Sequence, residues 1–361
     1  MLLQHVNRNG YRDVRISDGA DADIDTLASA SPPARRFLRA GWFRAASPNL
    51  QILSAERPDG SPILALPYGH RRIGPLRLRE VAGGYWPFRS FALSSDASMT
   101  ELKAVLENKQ TAKELGRIWR LGPVYSDDPT ARRLLKAAPE AGWNVIQRPT
   151  ARVYELDLQA QRQDGPWPRT KTLRKNRWRE RRLASDGEVR YEFLTGRDLT
   201  AECCDAMAEI EKNSWLADLN DGGDTKFLNP AIREVWQRIA ADDDLAPMLF
   251  GSLMWIGDRP AAFAFGVEAG DTRYYIANNY DAHFSKFGPG KLLLYADFER
   301  AADAGIRLIS WGAGDAGYKS EMGAEPGPEI SDLFFVRGRP LAALLRPLLM
   351  RGAHHDEETR S

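Results

Sequence analysis

The sequence predicts a mixed α+β fold in two tandem domains, each a mostly antiparallel sheet flanked by helices. Three observations carry that expectation. Met248–Ile256, Ala261–Glu268 and Thr272–Asn278 are strand-length apolar runs parted by Gly257-Asp258 and Gly270-Asp271, the pattern of an antiparallel meander. Ile232, Val235, Trp236 and Ile239 fall at i, i+3, i+4 and i+7, one stripe of an amphipathic helix. The two halves also share an order: a hairpin whose turn leads into proline (Asp59-Gly60-Ser61-Pro62; Gly257-Asp258-Arg259-Pro260), then a helix, then a strand. A chain of 361 residues exceeds one ordinary core and suits two domains, divided here as 1–150 and 151–345 with a flexible tail at 346–361.

In chain order, residues 1–30 are polar and turn-rich and receive no element. Gln51–Ala55 and Ile63–Pro67 flank the turn Pro58-Asp59-Gly60-Ser61, and Gly83–Phe88 reads as a loop. Thr100–Leu115 has helical composition, Arg117–Leu121 reads as a strand, Thr130–Ala138 as a helix, and Trp143–Leu158 as extended chain around Pro149. Asp164–Arg182 is the junction between halves. Val189–Leu194 alternates as a strand, and Leu199–Trp215 is a helix with Leu199, Cys203, Met207 and Ile210 along one stripe. After the meander come a glycine-rich loop, helix Lys291–Ala304 closed by Gly305, and strands Ile306–Trp311 and Ile330–Val336. Leu341–Met350 is apolar but short, and Arg346 and Pro347 interrupt it. It reads as a terminal packing helix, with frayed polar residues after Arg351.

Composition excludes several classes. Fifty basic and 49 acidic side chains leave a net charge of +1, so no overall field selects nucleic acid or an acidic partner. Cys203 and Cys204 are the two cysteines; as sequence neighbours they make no disulfide framework, which suits a reducing compartment. His5, His70, His283, His354 and His355 show no metal-ligand spacing, so no structural metal is expected. Met1-Leu2-Leu3-Gln4-His5 lacks the basic and apolar regions of a signal peptide, and no run is long enough to span a bilayer. The expectation is a cytoplasmic protein without a transmembrane segment. Oligomeric state is not legible.

The most informative motif is Ser285-Lys286-Phe287-Gly288-Pro289-Gly290-Lys291-Leu292, between a strand and a helix. A helix start exposes unpaired N–H groups and carries partial positive charge. Glycines remove the Cβ atoms that would hold a diphosphate at a distance. Pro289 stiffens the turn by fixing φ, and Lys286 and Lys291 add charge. A strand-to-helix turn that needs glycine for geometry alone is the plainer alternative. The stretch is neither a Walker loop, since no Gly-Lys-Ser/Thr follows four spacers, nor a dinucleotide fingerprint, since the strand before it belongs to a meander.

Meander, glycine loop, helix, strand is the layout of the acetyl-CoA N-acetyltransferase (GNAT) superfamily, and the loop resembles its Arg/Gln-x-x-Gly-x-Gly/Ala signature. Gly288 and Gly290 match both glycines; Ser285 stands where Arg or Gln is usual. Tyr280-Asp281, the Pro-Gly within the loop, Gly312-Ala313-Gly314-Asp315 and Tyr318-Lys319 resemble the branch associated with bacterial cellulose and exopolysaccharide synthesis, over about residues 150–340. The first half is similar to the degenerate companion domain of two-domain members and of Fem-type peptidoglycan aminoacyltransferases.

The resemblance implies tandem GNAT-like domains and acetyl-CoA, or another acyl-CoA, as co-substrate held by residues 285–292. It implies direct attack of an amine, from a small molecule or an amino sugar, on the thioester. Strands splayed beside Thr272–Asn278 and Ile306–Trp311 would offer backbone N–H groups to the donor. Tyr318, seven residues beyond Trp311, is the candidate general acid for the leaving thiolate. Lys319 would bind phosphate or an acidic substrate. Asp315 would hold or deprotonate the amine, or simply cap a helix. Trp215 would line an acceptor cleft or pack in a core. Asn278 and Asn279 would bind substrate or end a strand. Glu209 and Glu211 read as solvated helix charges. The run Arg169–Arg182 is a solvated helix or a site for an anionic acceptor, a membrane surface or the CoA phosphates; nucleic acid is disfavoured. Two alternatives stay open: a Fem-type transfer from aminoacyl-tRNA, and a non-catalytic protein that kept the fold.

Overall fold

In the computed structural model the chain divides into two units, Met1–Val153 with Pro326–Ser361, and Tyr154–Glu325. The described residues are 14–18, 22–47, 49–73, 76–84, 86–163, 165, 167–218, 225–314 and 317–350. The first stretch of chain forms β1 (Arg15–Asp18), α1 (Ala22–Ala30), α2 (Ala40–Ala46), β2 (Gln51–Glu56), β3 (Pro62–Ile73), β4 (Leu76–Val81), α3 (Met99–Glu107), α4 (Lys109–Leu115), β5 (Ile118–Tyr125), α5 (Pro129–Glu140) and β6 (Trp143–Asp157). After the connecting helices α6 (Leu158–Gln163) and α7 (Thr170–Leu183) come β7 (Val189–Thr195), α8 (Ala201–Lys212), α9 (Pro230–Ala240), β8 (Leu249–Ile256), β9 (Arg259–Ala269) and β10 (Thr272–Tyr280). Then follow α10 (Pro289–Asp303), β11 (Leu308–Ala313), α11 (Tyr318–Glu321), β12 (Glu325–Arg337) and α12 (Arg339–Met350).

Set side by side, β1 to β6 and β7 to β12 run through one order: strand, two helices, a three-strand meander, a helical segment (α3 and α4 in the first half, α10 in the second), strand, helix, strand. The duplication hinted at by the two proline-bearing hairpins is therefore a repeat of whole elements. Residues 1–30, given no element from sequence, hold β1 and α1. The expected helix Thr100–Leu115 breaks at Asn108, whose side chain leaves the helical path and caps α4 by accepting from Gln110 N–H at 2.7 Å.

In the first unit the strands lie in the order β1-β2-β3-β4-β5-β12-β6. The ladders from β1 to β4 are antiparallel, β4 and β5 run parallel, and β5 meets β12 antiparallel. The sequence division ran the second domain on to 345, but β12 and α12 pack in this unit. Phe335 stacks on Trp119 at 4.0 Å between ring centroids, and Leu345 and Leu349 close a cluster with Leu78, Ile118 and Phe334. Residues 346–350, assigned to a flexible tail, continue α12, and buried Leu349 supplies the reason.

The β4/β5 ladder covers only Arg79–Trp119 and Glu80–Arg120. Beyond it the unit's own chain covers β5: Arg89 N–H donates to Pro123 O at 2.7 Å, and Phe88, Ser90 and Phe91 are buried. Arg89 pairs with Glu80, which also takes Arg120; Asp332 takes Arg120 and Arg148. The start of α3 is closed as well. Ser98 Oγ accepts from Glu101 N–H at 3.1 Å, and the Glu101 carboxylate accepts from Ser98 N–H at 2.6 Å. With the strand gap filled and an acid in the first turn of α3, the described residues of this unit offer an anion no equivalent of the 285–292 loop.

In the second unit β11-β10-β9-β8-β7 follow one another, with β10/β11 parallel and the rest antiparallel. Its core is an aromatic chain. Phe250 meets Tyr275 at 5.0 Å, Tyr275 meets Phe298 at 5.5 Å, and Phe298 meets Trp311 at 4.9 Å, all edge-on. Beside it lies a buried polar knot: Asp297 accepts from Ser252 Oγ at 2.5 Å, from Arg273 Nη1 at 2.9 Å and from the Tyr275 hydroxyl.

Glu211 is fully buried, not solvated. Its two oxygens accept from the N–H groups of Lys226, Phe227 and Leu228, each at 2.8 Å. Burial pushes its carboxyl up, and the three N–H bonds pull it back. Glu211→Ala strands three donors, so it should cost about 3 kcal/mol or more at 1–3 kcal/mol per unsatisfied group. Urea denaturation checks this; a loss under about 1 kcal/mol would mean that water replaces the carboxylate.

Candidate active site

The site grows out of the open side of β10. Its ladder with β11 runs Thr272–Leu308, Arg273–Ile309, Tyr274–Ser310 and stops there, while β10 continues to Tyr280 and β11 to Ala313. At the same level the β9/β10 register slips between Tyr275 and Ala277. An extra residue there bends the strand and raises its twist. The two parallel strands thus diverge toward their C-terminal ends, as the splay expected from sequence requires.

The chain leaving β10 is a 3-10 turn, Ala282–Phe287, rather than an irregular loop. Asp281 caps it, accepting from His283 N–H at 2.8 Å, and is itself held by Arg259 at 2.7 Å and Asn213 Nδ2 at 3.2 Å. Ser285 closes the turn through its carbonyl, which accepts from Gly288 N–H at 3.0 Å; its side chain is exposed. Gly288 sits at φ 59°, a left-handed conformation that suits glycine. It is the N-cap of α10, and no side chain caps that helix. Pro289 occupies the first turn, and the first bond back is Leu292 N–H to Gly288 O at 3.3 Å. The N–H groups of Gly290 and Lys291 precede that bond. A Cβ at Gly290 would stand 3.1 Å from Tyr280 Cδ1, so glycine is also what lets α10 start this close to β10.

Within 285–292 the roles divide. Pro289 and Leu292 are buried, so their side chains anchor α10 and only their backbone faces the turn. Phe287 is half-buried and meets Trp178 edge-on at 6.1 Å; Lys286 is exposed above the Phe287 ring. Lys291 pairs with Glu321, which holds that carboxyl below its usual range, with Lys175 and Arg179 adding to the effect.

Tyr318 and Asn278 are brought together: Asn278 Nδ2 donates to the Tyr318 hydroxyl at 3.1 Å. Tyr318 also meets Trp311 edge-on at 5.5 Å, which ties it to the aromatic core. Asn279 is buried within β10, paired across from Phe263, so it does not end the strand. Lys319 differs from expectation. It is buried, and its ammonium donates to the carbonyls of Gly312, Ala313 and Gly314 at 3.4, 3.1 and 2.7 Å. A cation so held braces the turn after β11 instead of reaching a phosphate. Asp315 lies outside the described residues. Trp215 is 58 % exposed, two residues beyond Asn213, whose carbonyl accepts from Ala282 N–H at 3.0 Å. It therefore starts from a point tied to the 282–287 turn.

Sequence reasoning leaves the basic run open between a solvated helix and a site for an anionic acceptor, a membrane surface or the CoA phosphates. Arg169–Arg182 forms α7, and Trp178 sets it against the 282–287 turn. The charge was legible, but nothing in its spacing says which element it packs on. The sequence marks Asp281 only within the Tyr280-Asp281 resemblance and Arg259 only within a hairpin turn; the Asp281-x-His283 cap spacing could have given the first its role.

Residues 170–320 match the family model described as an acetyltransferase (GNAT) domain. That match opens at the first residue of α7, which places the basic helix inside the domain. No curated protein matches the sequence. Among solved structures the chain is similar to FemX, with a TM-score of 0.60 and 13 % identity over 92 % of this chain and 100 % of that one. It is similar to the C-terminal domain of a putative lysylphosphatidylglycerol synthetase from Agrobacterium fabrum, with a TM-score of 0.54 and 14 % identity over 92 % and 95 %. A tandem GNAT protein from the clavulanic acid biosynthesis pathway gives 0.51 and 13 % over 90 % and 99 %. At such identities the likeness is one of fold. Residues 170–320 thus match a GNAT-type domain, and the chain as a whole shares the fold of these solved structures.

Proposed function

We propose that this chain is an acyl-CoA-dependent N-acyltransferase, with acetyl-CoA as the first donor to test. The acceptor class is an amine on a small molecule or an amino sugar. The observation that carries the reading is the uncapped start of α10, opening beside the gap between β10 and β11. A diphosphate fits the N–H groups of the first turn. The thioester arm fits along the β10 edge that β11 leaves uncovered.

Two groups do the chemistry. The amine must arrive neutral; it attacks the thioester carbonyl carbon, a C–N bond forms and the C–S bond breaks. Tyr318 gives its hydroxyl proton to the departing sulfur, and the proton that the nitrogen sheds on becoming an amide passes to solvent, which returns one to Tyr318. Asn278 donates to the Tyr318 oxygen and so orients the hydroxyl. Asp315 keeps its sequence-based candidacy for handling the amine, and Trp215 and Asn279 theirs for the acceptor. The resemblance to the exopolysaccharide branch supports a cytoplasmic role in envelope or polysaccharide assembly. Among the described residues no helix is long and apolar enough to cross a membrane.

The test is calorimetry with acetyl-CoA and longer acyl-CoAs. Micromolar binding is expected, with a rise in Tm of a few degrees at saturation. No binding of any acyl-CoA would end the reading. A donor of the aminoacyl-tRNA type is the second reading, favoured by the run of cations on α7, which form no ion pair among the described residues. Salt-sensitive tRNA binding without acyl-CoA binding would select it.

A further inference from the structure

Three observations converge on one side chain. Ser285 stands where the resembled signature has Arg or Gln, and its own side chain is exposed. Of the loop's two lysines, Lys291 is neutralised by Glu321 and Lys286 lies over the Phe287 ring. The loop therefore lacks a committed cation of its own. A guanidinium from outside the loop stands over it: Arg179 Cζ, Nη1 and Nη2 lie 3.7, 3.9 and 3.9 Å from where a Cβ on Gly288 would be. Among the described residues, Arg179 makes neither an ion pair nor a hydrogen bond.

The placement follows from α7. Trp178 docks edge-on against Phe287, which fixes the neighbouring residue over the N-cap of α10. Glu321, held below its usual range chiefly by its bond to Lys291, also feels the positive charge of Lys175 and Arg179. A half-buried guanidinium that forms no ion pair among the described residues is favoured by an anion that completes it.

We propose that Arg179 is the diphosphate-binding cation of this site, supplied by α7 in place of the residue missing at position 285. This rests on the acyl-CoA reading and extends it to a contact no part of the loop provides. The planar fork grips two non-bridging oxygens while the N–H groups of Gly290 and Lys291 hold the opposite side.

The test uses the full chain and two donors, acetyl-CoA and S-acetylpantetheine, which lacks the diphosphate. Arg179→Ala should weaken acetyl-CoA binding about 10- to 100-fold, the scale of a lost charge-assisted pair. It should leave S-acetylpantetheine binding unchanged. Arg179→Lys, which keeps the charge without the fork, should fall in between. Thermal melts of both variants check folding. Acetyl-CoA binding to Arg179→Ala within twofold of wild type would overturn the inference and leave the acyl-CoA reading standing. Equal losses for both donors would overturn it too, since they report a structural role. Failure of the wild type to bind acetyl-CoA would instead remove the reading on which it rests.

Discussion

Asp297→Ala is expected to cost the second unit about 3–5 kcal/mol, the price of stranding a buried charge. The carboxylate is 2 % exposed and receives Ser252, Arg273 and Tyr275. Removing it leaves the Arg273 guanidinium, itself 5 % exposed, with Glu268 alone at 2.6 Å. Burial, followed by the negative field of Asp297, pushes the Tyr275 hydroxyl well above its ordinary range, so it stays a donor and loses its acceptor. A melt should fall by roughly 10 °C, given about 2–4 °C per kcal/mol for a unit of this size. Asp297→Asn keeps the shape and an acceptor oxygen and should lose less. If both variants melt within about 2 °C of wild type, the guanidinium has found water and the knot is not what holds α10 to the sheet.

Tyr318→Phe is expected to lower kcat by about 10²- to 10⁴-fold, the usual contribution of a placed acid. Binding of the acyl donor should stay within about twofold, because the ring keeps its edge contact with Trp311 at 5.5 Å and only the hydroxyl goes. Asn278→Ala removes the donor at 3.1 Å that orients this hydroxyl. It should cost less, about tenfold, as a lost hydrogen bond between uncharged groups does. The decisive comparison is between leaving groups. A thiol more acidic than CoA needs less help from an acid, so the Tyr318→Phe deficit should shrink with such donors. A deficit independent of the leaving group would assign Tyr318 to packing.

What sequence alone settled were features written in local spacing. The meander needs only apolar runs parted by Gly-Asp turns. The α10 entry needs only glycine at two positions and proline between them, because left-handed φ and close backbone approach are residue properties. For the same reason the loop could be singled out before its neighbours were known. The helix break at Asn108 was missed because an Asx cap inside helical composition is a single-residue competition that summed propensity hides.

Tertiary structure decided everything that depends on which distant residues meet. Lys319 and Glu211 are charged residues in polar sequence, yet both are buried, one on three carbonyls and the other on three N–H groups. No periodicity encodes such pairings, since the partners are backbone groups. The return of β12 to the first unit, the filling of that unit's strand gap by Phe88–Phe91, and the setting of Arg179 over Gly288 are likewise contacts across long separations. Sequence sets the local backbone through steric limits on φ and ψ. Burial, which sets the state and partners of charged side chains, exists only after the elements have packed.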